Sequence, residues 1–205
     1  LLFLLSFLTI ISASYPSFAQ FSQEKKVSIR LLPDKTELKG GDSFTVGIEQ
    51  TITDHWHTYW LNPGDSGTAA RIKWSGVDGI EAAPIQWPIP KKLPLGPLTN
   101  FGYEEKVVLL QELTLPKNLP EGPQTITANI DILVCHEICI PESHTASFTI
   151  NDGREPSSSA VTGARNALPV DMGWATAMSE DKDDLVITIN TDTPSAFAKL
   201  DSIEL

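Results

Sequence analysis

Residues 124–150 read QTITANIDILVCHEICIPESHTASFTI. Ile126, Ala128, Ile130, Ile132 and Val134 share one parity, and Thr125, Thr127, Asn129 and Asp131 share the other. Successive side chains of a strand point to opposite faces, so the first set is expected to face a core and the second water. Leu133 and Cys135 fall on the water-facing parity. After an interruption, Ala146, Phe148 and Ile150 resume an inward parity against Thr145, Ser147 and Thr149. On one straight strand, residues four apart would have Cα atoms about 13 Å apart, at a rise of about 3.3 Å per residue. A disulfide needs about 4.4–6.8 Å. Cys135 and Cys139 can therefore bond only if the chain turns at His136-Glu137-Ile138, which places them across the mouth of a hairpin on its exposed side, with Pro141 ending the irregular stretch.

The same grammar extends outward in both directions. Val27, Ile29 and Leu31 alternate with polar residues, as do Phe44, Val46 and Ile48 after the Gly40-Gly41-Asp42 turn. Further short strands are expected at His55–Trp60, Arg71–Trp74 and Lys106–Leu113. About seven short strands in roughly 130 residues, with no helical period, predict an all-β fold: an antiparallel β-sandwich of immunoglobulin type. Pro84, Pro88, Pro90, Pro94 and Pro97 crowd residues 84–98. Proline removes ladder donors, so this stretch is expected to be a long ordered loop across one end of the sandwich. Asn62-Pro63-Gly64-Asp65-Ser66-Gly67 reads most simply as a tight turn. NDGREPSSSA (residues 151–160) is a linker by composition. Beyond it LVITIN (residues 185–190) is a strand, preceded by Trp174, in a segment too short to bury a core of its own.

The chain has 205 residues and a net charge of −11. That balance argues against nucleic-acid binding, which needs clustered Lys and Arg. The opening LLFLLSFLTIISAS is short for a membrane span and suits the apolar region of a signal peptide. With small residues at Ser17 and Ala19, cleavage is expected after Ala19, sending the remainder into an oxidising compartment.

The cysteine pair admits three uses. As a staple it is weak, because closing a loop of about five residues is worth only about 2 kcal/mol in the chain-entropy account. As an exposed pair at a hairpin end it is an accessible redox couple. Together with His55, His57, His136 and His144 it could supply thiolate and imidazole ligands to Cu(I) or Zn(II), although the spacing matches no strong metal motif. The balance favours redox chemistry, and neither a metal nor a cofactor is assigned. His136 stands where it could lower a thiol pKa or move a proton, with Glu137 beside it. His57 and Tyr59 share a strand parity opposite to that of Trp56 and Trp60. They are expected either at a plain strand edge or beside the disulfide. There is no catalytic triad, phosphate loop or paired-carboxylate site.

VCHEICIPE (residues 134–142) resembles the cysteine motif in the N-terminal domain of the DsbD/ScsB thiol:disulfide interchange proteins. HTYWLNPGDSG (57–67), IQWPIP (85–90) and NFGYEEKVVL (100–109) resemble further signatures of that family, in the same order. The likeness covers roughly residues 25–150. In the tail, Ala167-Leu168-Pro169 and Trp174 are more similar to the ScsB branch, in which a second β domain follows. With the signal peptide expected at 1–19 and a linker at 153–168, the resemblance implies an immunoglobulin-fold redox domain at 20–152 and the start of a second β domain at 169–205. It also implies a protein-disulfide reductase that is one part of a larger electron-transfer protein.

In such a protein a transmembrane domain, in the same full-length chain, supplies reducing equivalents. This domain passes them to periplasmic thioredoxin-fold proteins: disulfide isomerases, cytochrome c maturation thioredoxins, or relatives linked to copper tolerance. By the same resemblance Cys135 and Cys139 are the redox pair, with Cys139 forming the mixed disulfide. Asn100, Phe101, Gly102 and Tyr103 match the cap loop over the sulfurs, with Phe101 above them. The gap between the cysteines is shorter here than in the DsbD branch. The acidic residues of that branch's loop are unmatched, Thr99 and Asn100 standing in their region. The competing expectation is a non-catalytic periplasmic β-sandwich, an adaptor or copper-binding module with an inert disulfide.

Overall fold

A computed structural model of the chain describes residues 24–170, 173–181 and 184–190. The expected signal peptide lies outside the described residues. In chain order the elements are β1 (Val27–Pro33), β2 (Ser43–Ile52), β3 (His57–Gly64), β4 (Arg71–Ser75), β5 (Glu81–Ala82), β6 (Lys91–Leu95), β7 (Leu98–Glu104), β8 (Lys106–Thr114), β9 (Gln124–Cys135), β10 (Cys139–Ile150), α1 (Ser158–Arg165), β11 (Ala175–Asp181) and β12 (Asp184–Asn190).

Two antiparallel sheets form the sandwich. One runs β1-β2-β8-β5, the other β10-β9-β3-β7-β6, with β4 also pairing with β9. The inward parity of residues 126–134 holds: Ile126, Ala128, Ile130, Ile132 and Val134 are all buried. They meet Phe44, Val46, Ile48, Leu109 and Leu113 of the opposite sheet in one apolar cluster. Side chains from the inner faces of two aligned sheets interdigitate in this way because each strand has a single greasy face to hide. The fold is the immunoglobulin-like sandwich expected from the strand pattern.

Three expectations change. β2 is buried on both faces, Thr45, Gly47 and Glu49 included. Glu49 is covered by its ion pairs with Arg30 and Lys106, and the rest of the cover includes α1, which lies within the stretch expected to be a linker. Its Val161 packs with Leu32 and Leu110 in a second small cluster, alongside Val108, Ala164 and Leu168. Pro33 and Asp34 accept hydrogen bonds through their carbonyls from Ser157 N–H and Ser158 Oγ. Arg165 donates to Thr45 Oγ1. The middle of the first sheet's outer face is thus covered around Leu32 and Leu110, while Arg30, Lys106 and Glu112 stay exposed, and alternation along β2 no longer separates core from water.

The proline-rich stretch is not all loop. Lys91–Leu95 forms β6, which pairs with β7 in a hairpin, and Pro94 sits opposite Thr99. β6 ends its sheet, the position at which a strand tolerates a proline's missing donor. Likewise the turn expected at residues 62–67 begins inside a strand, since β3 runs on to Gly64, which pairs with Asn100 after a register shift. Further along the chain, β11 and β12 pair as a separate antiparallel hairpin.

Candidate functional site

The site is the closed end of the β9–β10 hairpin. The two strands pair in unbroken register from Ile150↔Gln124 to Cys139↔Cys135. That register brings the cysteine Cα atoms to 4.1 Å, and the sulfurs are bonded. His136, Glu137 and Ile138 form the connection, closed by a bond from the His136 N–H to the Ile138 carbonyl at 3.0 Å. All three are exposed, Ile138 at 65%.

The two sulfur-bearing residues differ sharply. Cys139 is exposed, as expected for this end of the hairpin, but Cys135 is 0% exposed. The expectation that both would lie on the exposed side fails for Cys135 because it sits between strands: Cys139 pairs with it on one side and His57 of β3 on the other. Parity assigns a residue to a face and says nothing of what covers that face.

Much of the cover comes from β3. Tyr59 is 2% exposed, and its hydroxyl lies 3.9 Å from Cys139 Sγ and 3.3 Å from His57 Nε2. Gly67 lies flat on the Tyr59 ring with φ +98°, and a Cβ there would overlap the ring carbons. Next to it Ser66 donates from both N–H and Oγ to Asn100 Oδ1, 3.0 Å each, while its side chain also touches the Tyr59 hydroxyl. His136 packs near Trp56 and His55, with ring centroids 5.9 and 6.2 Å away.

The residues matched to a cap loop lie on β7. Asn100 is fully buried, and Gly102 pairs with Tyr59. Tyr103 faces the core and donates its hydroxyl proton to the Pro88 carbonyl at 2.8 Å. Burial pushes its phenol far above the ordinary range. Phe101 is half-buried with its ring edge-on to Trp60, centroids 6.4 Å apart. Of the site residues expected from the sequence, the structure therefore brings Cys135, Cys139, His57, Tyr59 and His136 together. Asn100 and Gly102 stand behind Tyr59, Phe101 stands against Trp60, and Glu137 faces solvent. Sequence reasoning passed over Ser66 and Gly67, whose only signal was a turn, and over the role of Glu142.

Glu142 is the buried anchor of β10. Its carboxylate accepts the Lys26 N–H at 2.6 Å and the Val27 N–H at 3.4 Å. It also accepts a bond from His144 Nε2 at 2.9 Å. A carboxylate only accepts, so the neutral His144 is the Nε2–H tautomer. His144 thus belongs to this anchor. Among the described residues no group of three or more His, Cys, Asp or Glu is arranged to hold a metal ion.

Burial lowers the pKa of His144, against the raising effect of Glu142. Burial also lowers that of His57, where Glu104 opposes and His136 assists. A histidine held below its ordinary value is protonated first in the unfolded chain. Its contribution to stability is then complete above about pH 6.5 and is lost as the pH falls from there through the folded value. Urea midpoints are accordingly expected to drop between pH 7.5 and 5.5, and to drop less in His144→Gln. A midpoint that is flat across this window, or falls equally in the variant, would contradict the assignment.

Among the described residues no helix is long and apolar enough to cross a membrane. A family model described as the N-terminal domain of the thiol:disulfide interchange protein DsbD matches residues 29–150. Among solved structures, the N-terminal periplasmic domain of ScsB from Proteus mirabilis is similar at 19% identity with a TM-score of 0.63. The match covers 83% of this chain and 66% of that one. The reduced N-terminal domain of Neisseria meningitidis DsbD matches at 12% identity with a TM-score of 0.37, covering 60% of this chain and 83% of that one. The first of these likenesses bears on the fold. No curated protein matches the chain.

Proposed function

The chain belongs to the family of N-terminal domains of DsbD thiol:disulfide interchange proteins, and from that premise we propose that it is a periplasmic electron shuttle working through Cys135 and Cys139. The observation that carries the proposal is the asymmetry of the couple, with Cys139 exposed and Cys135 at 0% exposure. Exchange needs one sulfur that a partner can reach and one held back to resolve the mixed disulfide.

In the loading half of the cycle, a thiolate of a membrane-embedded donor domain attacks Cys139 Sγ, and Cys135 leaves as the thiolate. The donor's second thiol then attacks its own mixed-disulfide sulfur, frees Cys139 and closes the donor's disulfide. In the delivery half, the Cys139 thiolate attacks the disulfide of a periplasmic thioredoxin-fold protein. Cys135 then attacks Cys139 Sγ and releases the partner as a dithiol. Two electrons and two protons pass in each half, and no cofactor enters.

The deciding measurement is the reduction potential of the couple, by equilibration in glutathione or dithiothreitol buffers with alkylation and mass readout. A value between about −180 and −280 mV is expected, the range of known exchange proteins. A value well below −300 mV would mark an inert disulfide and return the chain to the adaptor reading.

A further inference from the structure

Beside the reactive sulfur stands a buried phenol in contact with an imidazole. The Tyr59 hydroxyl is within reach of both Cys139 Sγ, at 3.9 Å, and His57 Nε2, at 3.3 Å. A tyrosine has one proton to give. In the Nδ1–H tautomer of His57, Nε2 is a better acceptor for that proton than a disulfide sulfur. Once the bond is reduced, the Cys139 S–H has the phenolic oxygen as its nearby acceptor, while the phenol still donates to His57. The three groups then form an unbroken path from thiol to imidazole.

We propose that Tyr59 and His57 form a proton relay for Cys139. Resting on the shuttle reading, it names the groups that generate the attacking thiolate. The thiol proton passes to the Tyr59 oxygen as Tyr59 hands its own proton to His57 Nε2. Cys139 Sγ then bonds to the partner's sulfur, the partner's S–S bond breaks, and its second sulfur departs with the electron pair. His57 returns the proton through the same hydroxyl to that departing thiolate. Nothing outside the two proteins is consumed.

The surroundings support these roles. Tyr59 is held from behind by Gly67 and Ser66, and Ser66 is tied to the buried Asn100. The phenol is therefore fixed toward the sulfur. The His57 ring meets it edge-on, centroids 5.2 Å apart. Burial raises the Tyr59 pKa, against Ser66, so the phenol keeps a proton to pass on. Burial lowers that of His57, so the imidazole is free to take one. Three strands and a turn present groups to His57: Glu104 opposite it on β7, itself paired with Lys91 of β6; Cys135 on β9; His136 from the hairpin turn.

The test is the rate at which the reduced protein, without residues 1–19, attacks 5,5′-dithiobis(2-nitrobenzoate) between pH 5 and 9, by stopped flow. Wild type is compared with Tyr59→Phe, His57→Gln and the double variant. An ordinary thiol, with a pKa of about 8.5, is about 3% thiolate at pH 7, so a relay can contribute at most about 30-fold there. Each single variant is expected to lose about ten-fold at pH 7. Each also loses the limb of the pH profile that titrates at or below ordinary histidine values, and the double variant loses no more than either single one. Variants that keep that limb, whether as fast as wild type or uniformly slower, overturn the relay. If Tyr59→Phe does not fold, the half-buried His57→Gln alone decides between these outcomes. A wild type that does not react at all overturns the shuttle reading and the relay together, whereas a wild type that reacts beside unaffected variants overturns the relay alone.

Discussion

Cys135→Ser protein incubated with glutathione disulfide is expected to acquire one glutathione, on Cys139, within the time in which Cys139→Ser protein acquires almost none. Cys139 lies exposed on β10, at the edge of its sheet, and meets the oxidant directly. Cys135, at 0% exposure between β10 and β3, reacts only when the end of the hairpin opens. If that local opening costs about 3 kcal/mol, the rate falls about 100-fold, since each 1.4 kcal/mol is a factor of ten. Intact-mass spectra over time read the two rates. Equal rates would mean that the burial of Cys135 does not govern its reactivity, and the division of labour between the sulfurs would fall with it. The same Cys135→Ser variant, mixed with a periplasmic thioredoxin-fold protein, is expected to hold a covalent complex that the other variant does not form.

Glu142→Ala is expected to cost about 2–4 kcal/mol of folding stability. The carboxylate is buried and serves three donors, the Lys26 and Val27 N–H groups and His144. Hydrogen bonds to a charged group are worth about 1.5–3 kcal/mol, and removing one partner of a buried set leaves the others without their match. The effect should be felt first where β1 begins, because Glu142 ties the start of that strand to β10. Glu142→Gln keeps one acceptor oxygen and should lose less. Urea denaturation of the three proteins gives the comparison, and a loss below about 0.5 kcal/mol for alanine, the usual scale of a plain surface change, would refute the anchor.

Much of the sandwich was legible because its strands obey period two where one face meets water. The alternation at 126–134 located the inner face, and the separation of the cysteines by only three residues required a turn. What escaped depends on contacts between distant segments. The α1 segment reads as a polar linker because its apolar residues are few and small, yet Val161, Ala164 and Leu168 suffice to cover Leu32 and Leu110. β6 was masked by Pro94, which an edge position tolerates. Ser66 looked like turn chemistry, since its partner Asn100 is thirty-four positions away. The burial of Cys135 was hidden because it depends on His57 of β3 arriving beside it.

The in-register pairing of Cys135 with Cys139 has a consequence for the cost of each working cycle. The backbone ladder from Gln124 to Ile150 leads up to the two sulfurs and is made by main-chain groups rather than by the sulfurs. Oxidation and reduction can then change the covalent state of a pair that is already aligned, with little rearrangement of the strands that carry it. Under the proposed shuttle function, a carrier built this way would spend little of each electron pair's free energy on moving itself.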